Sequence, residues 1–259
     1  MGTLAAIYRY PVKALAGEPL DAVTLAPGEG VPGDRIRALT TGAAPFDSAG
    51  PRPWPKTTFL TVMRYPVLAR FAARHETPAA RLALSDGDVE LFAGCLDDEA
   101  DCARLGAALQ AALRLPADWR PAVVSAPDWR FTDASVEGPR LMRSLSLINL
   151  ATVAELERAA GRPLDRRRFR ANLYVDGVPP WQEFDWVGRE ISLGPSIRLR
   201  GLMRTPRCAA IEADPATGRR DLALTRLLRE RYGHVDFGIQ VEVTAGGDAM
   251  VGAAVTQAD

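Results

Sequence analysis

Glu190-Ile191-Ser192-Leu193-Gly194-Pro195-Ser196-Ile197-Arg198-Leu199-Arg200-Gly201-Leu202 alternates apolar with other side chains on both sides of a Gly-Pro break. An apolar residue at every second position places one face of an extended chain against a core, and Gly-Pro interrupts it, so the stretch reads as two short strands, Glu190–Leu193 and 197–202. Outward from it, 172–175 is a strand closed by Asp176-Gly177, and 238–244 and 250–256 are two closing strands split by Gly246-Gly247-Asp248. Toward the start, 4–12, 21–25, 36–40 and 57–62 read as further strands, and Ser85-Asp86-Gly87-Asp88 sets a hairpin between 81–84 and 89–92. Asp97 or Asp98 caps a helix running to about Leu115 with Leu105, Leu109 and Ala112 near helical spacing, and Pro116 stops it. A second helix over 149–160 is capped by Thr152, with Glu155 at capping-box spacing, or by Asn149, and ends at Gly161. A short third helix over 222–231 ends at Gly233, and 116–139, with its prolines, Trp119 and Trp129, reads as a connecting or site-forming loop. Many short strands with few helices predict a mainly β, α+β chain built around a barrel.

Composition narrows the function. The 259 residues are 47% hydrophobic and 25% charged, enough for one large domain or two modest ones, with a boundary near Ala122 separating 1–121 from 122–259. The 32 basic and 32 acidic residues cancel, so no global field favours nucleic acid or an anionic membrane, and any anion site must be a local cluster. Cys95, Cys102 and Cys208 are odd in number and lack metal-site spacing, and with only two histidines a His-rich metal site is nearly excluded. The start, Met1 to Tyr10, is no signal peptide and no run of about 18 apolar residues occurs, which sets a reducing cytoplasm as the expected location.

Against this background Cys208 stands out, in Thr205-Pro206-Arg207-Cys208 just before Asp214-Pro215-Ala216-Thr217-Gly218. Arg204 and Arg207 favour the thiolate, the form that attacks or binds a soft metal; a small buried hydrophobe is the competing reading. Only Lys13 and Lys56 are lysines, and Lys13 in Tyr10-Pro11-Val12-Lys13, Arg35 in Gly33-Asp34-Arg35, and Arg170 near Asn172 are candidates to meet around one phosphate-bearing ligand. Arg166, Arg167 and Arg168 read as a solvated charged face, and Trp181, Glu183, Asp185 and Trp186 as an aromatic-acidic loop. Asp214 and Glu212 are candidate proton relays, with a plain turn role for Asp214 as the alternative.

Taken in order, Tyr10-Pro11-Val12-Lys13 with Gly17, Gly33-Asp34-Arg35, Phe169-Arg170-Ala171-Asn172, Trp186-Val187-Gly188, Arg207-Cys208 and Asp214-Pro215-Ala216-Thr217-Gly218 resemble the motifs of MOSC proteins with a MOSC N-terminal β-barrel domain. The mitochondrial amidoxime-reducing components and bacterial counterparts are such proteins. The resemblance implies a MOSC-type β-barrel with a smaller N-terminal β-rich domain and a few peripheral helices, the first ~40 residues contributing to the cofactor site. It further implies a molybdenum-molybdopterin cofactor (Moco), with Cys208 as the catalytic metal ligand and Lys13, Arg35, Arg170, Asn172 and Arg207 holding the pterin and its phosphate. The activity implied is reduction of N-hydroxylated small molecules, independent of pyridoxal phosphate. Because the chain ends at Asp259 without iron–sulfur cysteines, electrons are expected from a separate ferredoxin-, flavodoxin- or cytochrome b5-like protein, with no nucleic acid or membrane partner. The alternatives are a non-catalytic Moco or sulfur carrier, or a MOSC fold binding another anionic ligand. Ala14 and Ala171 stand where relatives carry a small hydroxyl residue and a proline.

Overall fold

A computed structural model describes residues 1–50, 52–76 and 79–257. Seven strands close a barrel: β1 (Gly2–Arg9), β2 (Leu145–Asn149), β3 (Leu173–Asp176), β4 (Glu190–Leu193), β5 (Ile197–Pro206), β6 (Asp236–Ala245) and β7 (Ala254–Gln257). Around the barrel the order is β3-β2-β6-β5-β4-β7-β1, and β1 pairs back onto β3 through Leu4↔Val175 and Ile7↔Leu173. Closure removes the exposed edges that an open sheet of this size would carry. The hairpin β4–β5 has the register expected for alternation, Ile191↔Leu199 and Leu193↔Ile197, and all four of these side chains are buried inside the barrel. Leu4, Ile7, Leu147, Val175, Val241 and Val255 complete that interior from the other strands.

Strand β2 alternates only over Leu145-Ser146-Leu147 before Ile148 breaks the pattern, too short a run to mark a strand. All five residues of Leu145–Asn149 are buried on both faces, because helix Leu150–Ala160 covers its outer side while its inner side fills the barrel. It pairs in parallel with β3, Leu147 opposite Leu173, and in antiparallel with β6, Leu147 opposite Ile239. Asn149 caps the helix that follows, its Oδ1 accepting from Ala151 N at 3.0 Å, whereas Thr152 turns inward to Glu183; Gly161 ends the helix at φ +70°.

Before the barrel returns at Leu145, the chain builds a second core. Three antiparallel strands, Ala72–Glu76, Arg81–Asp86 and Val89–Cys95, carry helix Glu99–Ala112 on one face, and Leu82, Leu84, Phe92, Leu105 and Leu109 are buried between them. Asp98 caps that helix by accepting from Asp101 N, as its sequence predicts. Two expectations fail locally and a third gains detail. The segment 57–62 is a 3-10 turn, Lys56–Thr58, followed by an isolated bridge, Thr40↔Phe59, because its apolar residues face the second core without a partner strand. The segment 250–256 is not one strand: Gly247–Met250 pairs with Ala22–Leu25, and the chain turns before β7 begins. The loop 116–139 contains a short strand, Val123–Ser125, and a 3-10 helix, Asp133–Glu137.

Candidate functional site

A cavity of about 310 Å³ opens at one end of the barrel and is lined by Lys13, Arg35, Arg170, Asn172, Arg207 and Cys208, six residues that come from four widely separated stretches of chain. Its construction begins at Asp34, which is buried at 4% exposure. One carboxylate oxygen accepts from Tyr10 N at 2.7 Å and Asn172 Nδ2 at 3.1 Å, and the other accepts from Arg35 Nη1 at 2.5 Å. Arg35 Nη2 then donates to Arg170 O at 2.9 Å, so a single acid joins the first loop to the turn that follows helix Leu150–Ala160. The amide of Asn172 is fully occupied within the protein. Its Oδ1 accepts from Ser146 N and Oγ, and its Nδ2 donates to Tyr8 O as well as to Asp34. Asn172 therefore lines the cavity while its side chain locks β1, β2 and β3 to the first loop.

The backbone at the site is held in unusual conformations. Ala14, Arg35 and Arg170 have φ of +72°, +51° and +52°, and all three line the cavity. The left-handed region costs a non-glycine residue about 1 kcal/mol or more, and it persists where surrounding bonds determine it, which is common at binding sites. Gly238, at φ +75° in β6, meets a different constraint: a Cβ there would lie 2.5 Å from Leu147 O, so only glycine lets β2 and β6 close under Arg207.

The charge pattern is lopsided. Lys13 Nζ donates to Asp133 Oδ1 at 2.7 Å and to Phe131 O at 3.0 Å. The Asp133 side chain is exposed at the cavity lip, where partial desolvation opposes its ionisation and the Lys13 charge and hydrogen bond outweigh it and hold the carboxyl at about 2. Arg170 and Arg207 have no such partner among the described residues. The Arg170 guanidinium lies over the Tyr10 ring at 4.6 Å from its centroid, as does that of Arg35. Arg207 donates Nε to Phe237 O at 2.7 Å and Nη1 to Phe169 O at 3.0 Å, but its buried Nη2 has no hydrogen-bond partner. Burial pushes both guanidinium groups down to about 10, with the Arg35 charge adding to the effect. Two partly buried cations without counter-charge among the described residues, one with a buried orphaned donor, describe a receptor for an anion.

Cys208 is exposed and lines this same cavity, one residue beyond Arg207, so it is not a core hydrophobe. It follows the end of β5, where Arg207 N donates to Val235 O at 2.9 Å, and precedes the 3-10 turn Ala209–Glu212. Arg204 takes no part in the cavity and lies over the Phe184 ring at 4.3 Å. Asp214 accepts from Ala216 N at 3.0 Å and Thr217 Oγ1 at 3.1 Å, and Glu212 from Thr225 Oγ1 at 2.5 Å; these are turn and helix-start contacts, and neither carboxylate lines the cavity.

Arg168 corrects the reading of 166–168 as a solvated face. It is 4% exposed and makes a bidentate pair with Asp221 at 2.8 Å for each nitrogen, while Nη1 also donates to Glu212 O at 3.2 Å. That clasp ties the turn carrying Arg170 to the segment just after Cys208. The aromatic-acidic loop is internal at Glu183, Phe184 and Trp186 and exposed at Asp185. Glu183 is fully buried, accepts from Thr152 Oγ1 at 2.9 Å and Asn149 Nδ2 at 3.2 Å, and is pushed up to about 7 by burial. Asp34 and Tyr10 are the site residues that sequence reasoning passed over, although both stand inside the quoted motifs.

Among the described residues, no helix is long and apolar enough to cross a membrane. Residues 130–256 match the family model of the MOSC domain. The YuaD protein from Bacillus subtilis is similar in structure at 13% identity, over 98% of this chain and 93% of that one, with a TM-score of 0.48. YiiM from Geobacillus stearothermophilus is similar at 16% identity over 44% of this chain and 54% of that one, with a TM-score of 0.35. No curated protein matches the sequence. The chain therefore carries a MOSC domain over residues 130–256, the part that supplies most of the barrel and the exposed cysteine of the cationic cavity.

Proposed function

We propose that the protein is a molybdenum-cofactor-dependent reductase of N-hydroxylated small molecules, such as amidoximes and hydroxylamines, with the cofactor seated in the cationic cavity. The observation that carries the proposal is the orphaned Arg207 Nη2 beside an uncompensated Arg170, in the cavity that Cys208 lines. A phosphate-bearing pterin supplies the missing negative charge, and a soft metal suits a thiolate sulfur, so the donor set fits the group. Arg170, Arg207 and Lys13 would hold the anionic part. Lys13 reaches it by exchanging Asp133, an exposed partner, for the ligand. Arg35 and Asn172 position the walls, the first through Asp34 and Arg170 O and the second through its four protein bonds. Cys208 would be the metal ligand. When bound, the cofactor supplies the two-electron chemistry that N–O reduction needs, and the protein orients it and shields it from water. A separate electron-donor protein belongs to the same proposal, as does a division of the chain into 1–121 and 122–259, with β1, Lys13 and Arg35 reaching from the first part into the barrel and its cavity.

Two residues bear on affinity. Ala14 offers no hydroxyl to the ligand, which costs about 1 kcal/mol of one hydrogen bond. Ala171, unlike a proline, keeps its N–H, which donates to Tyr174 Oη at 3.3 Å and helps fix the Arg170 turn. The test is turnover of an amidoxime with an artificial electron donor. Wild-type protein should reduce it and Cys208→Ala should not, whereas turnover at the wild-type rate in the variant refutes the assignment of the thiol. A persulfide on Cys208 with no bound pterin would favour the carrier reading instead.

A further inference from the structure

Six large hydrophobic side chains are exposed among the described residues, and two of them, Met63 and Val136, line the cavity at 39% and 48% exposure. The other four, Met1, Val89, Met250 and Val251, lie away from it. Scattered exposed apolar groups are ordinary, but a pair that converges on one concave site from segments more than seventy residues apart has a use.

Both are held in place by their own backbones. Met63 sits in a turn closed by Tyr65 N donating to Thr61 O at 2.8 Å, and its carbonyl accepts from Arg220 Nη2. Val136 rides on the 3-10 helix Asp133–Glu137, anchored at one end by the Lys13–Asp133 pair and by Ser135 Oγ donating to Thr132 O at 2.8 Å. Val62, Leu141 and Met203 also line the cavity with apolar side chains. The formal charges around these two segments are Lys56 and Lys13 against Asp133 and Glu137, so they cancel at the mouth.

We infer that Met63 and Val136 form an apolar vestibule that selects ligands bearing an apolar substituent, an aryl or branched alkyl group, next to the reacting end. The inference rests on the proposed reductase reading only for the identity of that reacting end. Exposed methyl and methylene groups gain free energy in proportion to the apolar area a ligand covers, and a phenyl ring covers more of it than a bare methyl substituent.

Calorimetric titration of the purified full-length protein with benzamidoxime and acetamidoxime tests it. The aryl probe should bind about tenfold or more tightly than the methyl probe, as expected for covering a phenyl ring. Met63→Ser with Val136→Ser should cut that preference to about threefold or less and leave acetamidoxime unchanged, and Val136→Ser alone should remove about half of the effect on a logarithmic scale. Equal binding of the two probes, binding of neither, or a preference that survives the double substitution overturns the vestibule. Pterin and molybdenum analysis of the same sample separates this inference from the reading above it. An aryl preference lost in the variants of a pterin-free protein supports the vestibule and removes the reductase, and a loaded, active protein with no aryl preference does the reverse.

Discussion

Replacing Arg170 by methionine separates a residue that holds an anion from one that holds the fold. Burial lowers the Arg170 pKa from its ordinary value to about 10, which corresponds to about 3 kcal/mol by which the folded protein disfavours this charge in the absence of a ligand. Against that stands the stacking of the guanidinium on Tyr10, worth about 1 kcal/mol at a partly buried site. Methionine keeps the volume and bears the same left-handed backbone cost, so it removes the charge with little else. Ligand-free R170M should therefore be as stable as wild type or more stable by up to about 2 kcal/mol, a Tm rise of a few degrees for a chain of this size. Charge-assisted hydrogen bonds contribute about 1.5 to 3 kcal/mol each, so its affinity for inorganic pyrophosphate should fall about tenfold to a hundredfold. Thermal denaturation with and without pyrophosphate, followed by calorimetric titration, measures both quantities. A Tm lowered by many degrees without ligand, or unchanged pyrophosphate affinity, would refute the argument that Arg170 is an uncompensated cation awaiting an anion.

Glu183 should make the protein less stable as pH rises toward neutrality. Its folded pKa of about 7 lies above the ordinary carboxyl value, so the folded state binds a proton that the unfolded state has released. The contribution is complete below the unfolded pKa of about 4.3 and is lost as pH rises through about 7, amounting to about 3 kcal/mol; E183Q should flatten this part of a urea-denaturation profile, and an unchanged slope would contradict it. R168A should destabilise the protein by about 2 to 3 kcal/mol, because it removes the buried bidentate cation between Asp221 and Asp214, while half-buried Asp221 keeps Arg162 at 3.3 Å. Urea denaturation reads that loss directly, and a cost below about 1 kcal/mol would return Arg168 to the surface role its sequence suggests. C208A, in contrast, removes an exposed thiol and should change stability by less than about 0.5 kcal/mol while ending turnover.

The barrel was legible wherever one strand face is wet. Ile191, Leu193, Ile197 and Leu199 alternate because β4 and β5 have an outer side open to polar residues, and the pattern alone sets their register. Leu145–Asn149 escaped because coverage on both faces puts apolar Ile148 beside Leu147 and leaves only a short alternating run, and 57–62 misled because apolar residues without a partner strand still look like one. Caps read well where the chemistry is local, as at Asp98, Gly161 and Gly233. Lys13, Arg35, Arg170, Asn172, Arg207 and Cys208 do gather at one cavity, an arrangement that ordered motifs pointed to and no single segment determined. What the sequence hides is the division of labour. Asn172 uses its amide to tie strands together, Arg168 is an internal clasp, and Asp34 organises three elements, all through contacts between residues far apart in the chain. The vestibule residues Met63 and Val136 carry no signal in the sequence, since an exposed apolar side chain is recognisable only once its position over the cavity is known.

The most direct test of the central claim is molybdenum analysis combined with fluorescence of the oxidised pterin released from protein purified out of a host that makes the cofactor. Near-stoichiometric pterin and molybdenum in the wild type, with both falling in R170M, is the expected result. Protein that carries neither, from a host in which a known molybdoenzyme is fully loaded, would contradict it.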